Sequence, residues 1–273
     1  MRLVLFPYFR EIFETIKKDK PLIHHITNYV TVNDCANTVL ALGGSPVMAD
    51  DLAEVEEMVS LASALVMNVG TLNQRTIEAF VLAGKKANAL GTPVVLDPVG
   101  VGATALRTQT VQRILEEVQL SVLRGNMSEI KSIYGQGGKT RGVDSIDDSL
   151  MGGREIALEL AKRLNCVVVI TGATDIVSDG EQVFYIENGH EMLSRVTGTG
   201  CMTTSLIGLC VGTKKNPFHA AIMGTAVMGL AGEKAYEALP HKEEVGTFRV
   251  KLMDAIGSFS ITLMEESVKI HEA

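Results

Sequence analysis

Short apolar runs of strand length recur along the chain, and segments with helical spacing of their apolar residues separate them. The predicted strands cover 22–26, 46–48, 64–69, 93–96, 120–123 and 167–170. The predicted helices between them cover 33–42, 51–62, 73–90, 104–118, 126–134 and 151–164. Strands that are apolar on both faces and alternate with helices indicate a largely parallel sheet covered on both sides. We therefore expect an α/β fold, a three-layer sandwich with helices on both faces of a mostly parallel central sheet.

The last part of the chain has a different pattern. Asp179-Gly180 separates the strand-like runs 175–178 and 182–186, and Asp-Gly between two strands is a strong hairpin signal. Three helices are predicted to close the chain, at about 200–213, 217–237 and 246–269. Residues 135–150 are polar and rich in glycine, which predicts a mobile surface loop. Because no segment has the composition of a linker, residues 1–273 are expected to form a single domain.

Composition narrows the classes of partner. The 273 residues carry a formal net charge of −7, which argues against nucleic acid or an anionic membrane as a partner. The N-terminal segment indicates an amphipathic helix rather than a signal peptide. The most apolar region, about 199–232, is interrupted by Lys214, Lys215 and Pro217, so neither piece reaches the roughly 20 residues that span a bilayer.

The cysteines favour a reducing compartment. Cys35, Cys166, Cys201 and Cys210 include no Cys-x-x-Cys pair, and they are too sparse for a disulfide scaffold. We therefore expect free thiols and a cytoplasmic protein.

Polar or glycine-rich clusters follow several of the predicted strands. In an open α/β sheet, ligands bind beyond the carboxyl ends of the strands. The clusters are Thr27-Asn28-Tyr29, Gly70-Thr71, Asp97–Gly102, Arg124–Glu129 and Thr171-Gly172-Ala173. Their repetition at one predicted rim indicates an active site.

The segment Gly198-Thr199-Gly200-Cys201 is the most informative of the chain. A glycine-rich turn that opens a helix directs unpaired N–H groups and the positive end of the helix dipole at one point, which suits an anion. The turn would suit a phosphoryl group that moves between a donor and an acceptor hydroxyl, with Cys201 beside it. A helix N-terminus is also expected to lower the pKa of the Cys201 thiol somewhat, and nearby phosphates are expected to oppose that shift. A close-packed loop–helix junction with a buried cysteine is the alternative.

Three residues at the predicted rim carry both a functional and a structural interpretation. Arg124 suits a bidentate contact with phosphate oxygens, or a surface salt bridge. Glu129 suits Mg²⁺ held through water, or a capping box with Asn126. Asp97 suits the same metal or phosphate region, or a turn before Pro98.

Two further positions are ambiguous. His24 and His25 are adjacent in a strand and point to opposite faces, so they do not chelate one metal; one would line a pocket, or each would be a hydrogen-bonded structural histidine. Met48 suits core filling, or packing on a flat apolar ligand.

Taken together, these segments resemble the hydroxyethylthiazole kinase family of the ribokinase-like superfamily. The resemblance covers nearly the whole chain, and several long motifs occur in the order expected. The motifs are His-His-Ile-Thr-Asn-Tyr-Val-Thr-Val-Asn-Asp-Cys-Ala-Asn at 24–37, Gly-Gly-Ser-Pro-Val-Met-Ala at 43–49, Asp-Pro-Val-Gly-Val-Gly-Ala-Thr at 97–104, Arg-Gly-Asn-Met-Ser-Glu-Ile at 124–130, Val-Ser-Asp-Gly at 177–180 and Gly-Thr-Gly-Cys-Met at 198–202.

The resemblance implies phosphorylation of 4-methyl-5-(2-hydroxyethyl)thiazole by ATP with Mg²⁺, in thiamine biosynthesis or salvage. It also implies a homotrimer with active sites between subunits. By position, the resemblance implies Asn28, Met48 and Gly198 for the alcohol, Arg124 and Thr171 for ATP, and Asn126 and Glu129 for phosphate and Mg²⁺. The rim and the glycine turn add Gly70 for the alcohol, Asp97 for the metal, and Gly198, Gly200 and Cys201 for catalysis, and Asn126 is counted among the ATP contacts. Where the wider superfamily usually has aspartate as the presumed base, this chain has Cys201, which leaves the identity of the base open.

Three other functions remain as alternatives. A kinase of another vitamin-precursor alcohol, such as hydroxymethylpyrimidine, is the nearest. Nucleotide-dependent dehydratases that repair hydrated nicotinamide cofactors also use the ribokinase-like fold. This function stays an alternative because Cys201 stands in place of the expected aspartate. A binding protein without turnover is the third.

Overall fold

The structure is a computed structural model that describes residues 2–135 and 150–273. Its strands are β1 Leu22–Ile26, β2 Ser45–Met48, β3 Ala64–Asn68, β4 Val94–Asp97, β5 Val122–Asn126, β6 Val167–Thr171, β7 Asp175–Ser178, β8 Val183–Ile186 and β9 Ile270–Glu272. Its helices are α1 Arg2–Asp19, α2 Val32–Leu42, α3 Val55–Leu61, α4 Gln74–Leu90, α5 Ala105–Glu117, α6 Met127–Gly135, α7 Leu150–Leu164, α8 Thr199–Val211, α9 Pro217–Glu237, α10 Val245–Gly257 and α11 Ile261–Ser267. A short 3₁₀ helix, Glu191–Arg195, precedes α8.

The described strands form one sheet in the order β2-β1-β3-β4-β5-β6-β7-β8-β9. The pairs from β2 to β6 are parallel. The pairs from β6 to β9 are antiparallel. The predicted α/β fold with a mostly parallel sheet is therefore confirmed, and so is the hairpin of β7 and β8.

Two apolar layers cover the two faces of the sheet, because alternate strand residues point in opposite directions. Ala64 and Val66 of β3 pack in one layer, which includes α1, α2, α8, α9 and α10. Leu65 and Met67 of the same strand pack in the other, which includes α3 to α7. Helices α8 and α9 are apolar on every side and almost wholly buried, so α8 can bring its first turn against the carboxyl ends of the strands.

One shifted strand matters for the site. The predicted strand 120–123 is wrong at both ends, because β5 begins at Val122 and continues to Asn126. Arg124 therefore lies within the strand rather than in the loop after it. The apolar run ends at Leu123, but pairing with β6 continues the strand through Arg124, Gly125 and Asn126.

Other boundaries also differ from the sequence prediction. The single helix expected at 246–269 is two helices, because Ser260 begins α11 by accepting a hydrogen bond from the backbone N–H of Leu263. The helix expected at 51–62 is shorter, Val55–Leu61. Strand β9 and the 3₁₀ helix had no clear signal. The loop predicted over 135–150 lies, apart from its two end residues, outside the described residues.

Two predictions about the whole chain can be compared with the described residues. Their four cysteines are all free thiols, as expected. No helix in the part of the chain that the structure describes is both long enough and apolar enough to cross a membrane.

Candidate active site

A row of polar side chains lies where neighbouring parallel strands end. Asn68 and Asp97 close β3 and β4 and are direct partners in the register of the two strands. Arg124 is the next step along the row, with Nη1 3.6 Å from Asp97 Oδ2. Thr171 closes β6 and accepts a hydrogen bond from Arg124 Nη2 at 2.7 Å. By the two-residue alternation of strands, all four point toward the face covered by α8.

Two glycines at the start of α8 lie in close contact with side chains from other elements. Gly198 precedes the helix with φ +91°, and a Cβ there would lie 2.6 Å from Thr31 Cγ2. A Cβ on Gly200 would lie 2.9 Å from Arg124 Nη1. The guanidinium therefore rests against the first turn of the helix, where unpaired backbone N–H groups also point.

Cys201 lies beside this turn and is surrounded by amide donors. Its Sγ accepts hydrogen bonds from Asn68 Nδ2 at 3.2 Å and from Asn28 Nδ2 at 3.4 Å. The pKa of the thiol is nevertheless raised, by burial first and by the Asp97 carboxylate second. The net shift is therefore opposite to the lowering expected at a helix N-terminus, since desolvation and a neighbouring negative charge outweigh the stabilising contacts.

Asp97 is fully buried and only partly satisfied. Its Oδ2 accepts hydrogen bonds from Asn68 Nδ2 at 3.0 Å and from Thr204 Oγ1 at 2.8 Å. Its Oδ1 has no hydrogen-bond partner among the described residues. Burial raises the pKa of this carboxyl to about 6, although the Arg124 charge and the hydrogen bond from Thr204 act in the opposite direction.

Two cavities open at the row. A cavity of about 490 Å³ is lined by Arg124, Thr171, Gly172, Ala173, Asp175, Asn188, Gly189, His190, Glu191, Leu193, Ser194, Thr199, Gly200, Thr203, Thr225, Met228 and Gly229. A cavity of about 390 Å³ is lined by Asn28, Val30, Thr31, Gly70, Thr71, Asp97, Val99, Arg107, Arg124, Asn126, Glu129, Thr197, Gly198, Gly200 and Cys201. Arg124 and Gly200 line both, so the two cavities meet at the first turn of α8.

Asn126 and Glu129 form the capping box at the start of α6. Asn126 Oδ1 accepts from the Glu129 N–H at 2.9 Å, and Glu129 Oε2 accepts from the Asn126 N–H at 2.8 Å. Glu129 Oε1 also accepts from the Gly100 N–H at 2.8 Å. The capping box predicted as the structural alternative is therefore present, and it holds the Glu129 carboxylate at the wall of the smaller cavity.

The carboxylates of Asp97 and Glu129 would suit a Mg²⁺ ion that is held partly through water. The described residues contain no group of three or more His, Cys, Asp and Glu side chains that could hold a metal ion by themselves. Mg²⁺ keeps several waters and takes one or two carboxylates together with substrate phosphates. Asp97 presents an unpartnered buried Oδ1, and Glu129 keeps a free lone pair on each oxygen.

The remaining residues predicted for substrates fall in different places. Asn28, Gly70 and Gly198 line the smaller cavity, and Thr171 lines the larger one. Met48 is half-buried at the end of the edge strand β2, and it lines neither cavity in the single chain.

The adjacent histidines are structural. His24 Nε2 donates to the Ala49 carbonyl at 2.7 Å. On the opposite face, His25 Nδ1 donates to the Ile23 carbonyl at 3.1 Å, and its Nε2 lies 3.1 Å from Ser205 Oγ. Both rings are buried, and burial is the main cause that lowers each pKa, that of His25 to about 4.

Sequence reasoning missed Asn68, Thr204, Arg107 and Asp175. Asn68 ends an apolar run and could have been found with the same rim argument. Arg107 donates to the Gly70 and Val99 carbonyls at 2.7 and 2.8 Å, and no local pattern marks it. Asp175 lines the larger cavity, and burial raises its pKa to about 7 against the opposing effect of the Gly172 N–H.

Comparison with known proteins agrees with the motifs. The model of the hydroxyethylthiazole kinase family matches residues 13–262. The hydroxyethylthiazole kinase of Alkaliphilus oremlandii (strain OhILAs) is 64% identical over 261 residues, which cover 96% of each chain.

Solved structures agree with the fold. The hydroxyethylthiazole kinase protein of Pyrococcus horikoshii OT3 matches with a TM-score of 0.89 and 39% identity, over 98% of this chain and 99% of that chain. The pyridoxal kinase of Staphylococcus aureus in complex with ADP matches with a TM-score of 0.63 and 15% identity, over 79% and 88%, which shows a shared fold alone.

Proposed function

The chain belongs to the hydroxyethylthiazole kinase family, and on this premise we propose that its two joined cavities carry out ATP-dependent phosphorylation of 4-methyl-5-(2-hydroxyethyl)thiazole. The kinase function expected from the motifs is thereby confirmed. The observation that carries the assignment of the site is that Arg124 and Gly200 line both cavities. A phosphoryl group at that point lies between a donor on one side and an acceptor on the other.

The nucleotide occupies the larger cavity in this proposal. Arg124 and Thr171 lie at its inner end, where the phosphates would reach the first turn of α8. The Arg124 guanidinium has a buried Nε without a partner in the described structure, so it has a donor to offer an anion. Phosphoryl transfer depends mainly on positioning and on stabilising charge over the transferred oxygens, which a fixed guanidinium and helix N–H groups supply.

The alcohol occupies the smaller cavity, with its hydroxyl beside Cys201. Because the pKa of the thiol is raised, Cys201 is protonated near neutral pH and orients the hydroxyl without removing its proton. In a loose transition state the proton leaves late, and a phosphate oxygen can receive it. Mg²⁺ bound near Asp97 and Glu129 would neutralise phosphate charge. Asn126 would take part by holding Glu129 in place.

The trimer and the cytoplasmic location belong to the proposal as well. Met48 lies at the edge strand β2 and lines neither cavity in one chain, so its contact with the alcohol requires a neighbouring subunit. Light scattering after size exclusion should give three times the chain mass of 29.3 kDa. A monomer that is fully active at assay concentration would contradict the shared site. Four free thiols support the reducing compartment.

A parallel turnover assay tests the function. ADP release is measured with the thiazole alcohol, with hydroxymethylpyrimidine and with no acceptor, and NADH formation is measured with hydrated NADH and nucleotide. We expect ADP release to depend on the thiazole alcohol. Preference for the pyrimidine alcohol, NADH formation, or thiazole binding without ADP release would each replace the proposal with the corresponding alternative.

A further inference from the structure

Asn68 joins the buried carboxylate to the active-site thiol. Its Nδ2 donates to Asp97 Oδ2 at 3.0 Å and to Cys201 Sγ at 3.2 Å. Thr204 contacts only the carboxylate and Asn28 only the thiol. Among these three donors, Asn68 is the one that touches both groups.

The orientation of the Asn68 amide is fixed by its surroundings. Its Oδ1 accepts the backbone N–H of Gly70 at 2.9 Å and Nδ2 of Asn28 at 3.0 Å. A backbone N–H can only donate, so the oxygen must face Gly70 and the NH₂ group must face Asp97 and Cys201. The side chain is 3% exposed, so water cannot easily replace these contacts.

The Asn28 amide is fixed in the same way. Its Oδ1 accepts from the backbone N–H and the hydroxyl of Thr31, each at 3.1 Å. Its NH₂ group must therefore face Asn68 Oδ1 and Cys201 Sγ. The sulfur thus receives two preset N–H donors, and its own hydrogen must point away from both amides. All four polar contacts of Asn28 lie within the protein, so Asn28 supports Cys201 from the wall of the cavity.

We propose that Asn68 is a positioning residue that holds Asp97 and Cys201 in one geometry, so that the carboxylate proposed to lie near Mg²⁺ and the thiol beside the alcohol stay aligned. The proposal rests on the proposed function. Strand register explains the arrangement, because Asn68 and Asp97 are direct partners on adjacent parallel strands. Misplacing reacting groups by a small distance lowers the rate far more than it lowers binding.

The test uses two substitutions that remove both N–H donors. Asn68→Leu keeps a similar volume, and Asn68→Ala is smaller; neither adds a charge beside Asp97. We expect each to lower kcat by about 30-fold or more while each KM changes less than about threefold, as lost alignment predicts. Thr204→Val is the matched control, because it removes a donor to Asp97 and leaves the thiol contacts in place. Thermal melting establishes that each variant is folded, and Asn68→Ala carries the test if Asn68→Leu does not fold.

A double-mutant cycle separates positioning from a general structural role. If Asn68 acts through the thiol, its substitution should cost at least about fivefold less in kcat when Cys201 is already alanine. Equal losses in both backgrounds, or a kcat within threefold of wild type in both Asn68 variants, would overturn the proposal.

A second readout does not require turnover. In the ligand-free protein, alkylation of Cys201 by iodoacetamide is followed across pH by mass spectrometry. Loss of the Asn68 donor should shift the alkylation profile to higher pH by roughly half a unit or more, while Thr204→Val leaves it in place. An unshifted profile in both Asn68 variants would also overturn the proposal. The alkylation experiment still tests the role of Asn68 if the wild-type protein fails to phosphorylate the thiazole alcohol, because it does not depend on turnover.

Discussion

At the scale of single residues, the surroundings of Cys201 would also suit a carboxylate. Asn28 and Asn68 both direct N–H groups at this position. Charge-assisted hydrogen bonds are about twice as strong as neutral ones. A carboxylate here would therefore be held more firmly than the thiol, although the nearby Asp97 carboxylate opposes a second negative charge.

Substitution of Cys201 tests its role. We expect Cys201→Ala to slow the reaction moderately and Cys201→Asp to retain or raise activity, because the amide donors stay in place. The measurement is kcat for the three proteins at saturating ATP, Mg²⁺ and alcohol. A loss beyond about 10⁴-fold in folded Cys201→Ala would exceed the usual contribution of one acid–base group and indicate an essential thiol.

Arg124 is the second residue with a direct prediction. Arg124→Ala should lower kcat/KM for ATP by roughly 10- to 100-fold, the range expected for one charge-assisted contact, and should change thiazole binding much less. Arg113→Ala is the control, since Arg113 pairs with Glu78 at the surface and lines neither cavity. If ATP use by Arg124→Ala stays within twofold of wild type, the phosphate contact does not exist.

At the scale of elements, the start of α6 combines a capping box with the position proposed to lie near Mg²⁺. Glu129 accepts one backbone N–H on each oxygen, from Gly100 and from Asn126. The same carboxylate thus ties the loop after β4 to the helix after β5. Arg107 ties that loop to the end of β3 in the same manner, through the Val99 and Gly70 carbonyls. The walls of the smaller cavity are therefore held by side chains that bridge strand-end loops.

Glu129→Gln tests this double role. An amide offers one oxygen, so one of the two backbone N–H groups loses its acceptor, at a cost of about 1–3 kcal/mol in the free energy of unfolding. The Mg²⁺ concentration for half-maximal rate should also rise, because a negative charge near the phosphates is removed. Urea unfolding and an Mg²⁺ titration measure the two effects. A stability loss with an unchanged Mg²⁺ titration would leave Glu129 with the capping role alone.

At the scale of the whole molecule, buried titrating groups couple stability to pH. His25 of β1 is buried against α8, and burial lowers its pKa from 6.5 to about 4. Between these values the unfolded chain binds a proton that the folded chain excludes, so this residue makes stability rise with pH. Asp97 acts in the opposite direction, because its pKa is raised from 3.8 to about 6 and the folded chain binds the extra proton.

Comparing the wild-type protein with a His25→Gln variant isolates the contribution of His25 to the pH dependence of stability, because Asp97 is present in both proteins. The free energy of unfolding of the wild-type protein, relative to that of the variant, should increase by about 3 kcal/mol between pH 4 and pH 7, since each unit of pKa shift contributes about 1.4 kcal/mol. Urea unfolding at several pH values measures it. A constant difference across this range would show that His25 does not stay neutral when folded.

The sequence by itself determined the fold class, and it predicted the rim of the candidate site and most of the polar residues that the structure places there. Apolar runs on both strand faces specify a covered parallel sheet, and polar residues at strand ends specify its functional edge. The start of α8 was equally readable, because Gly198 and Gly200 predict a tight turn, and the positive φ of Gly198 favours glycine there.

Tertiary structure decided what these residues contact. The extension of β5 through Arg124 depends on pairing with β6, which the local sequence does not encode. The raised pKa of Cys201 depends on burial and on Asp97, which lies more than a hundred residues earlier in the chain. The role of Asn68 depends on strand register, which brings it beside Asp97. Local pattern specifies which element a residue joins, whereas desolvation, charge and hydrogen-bond partners arise only when distant segments pack together.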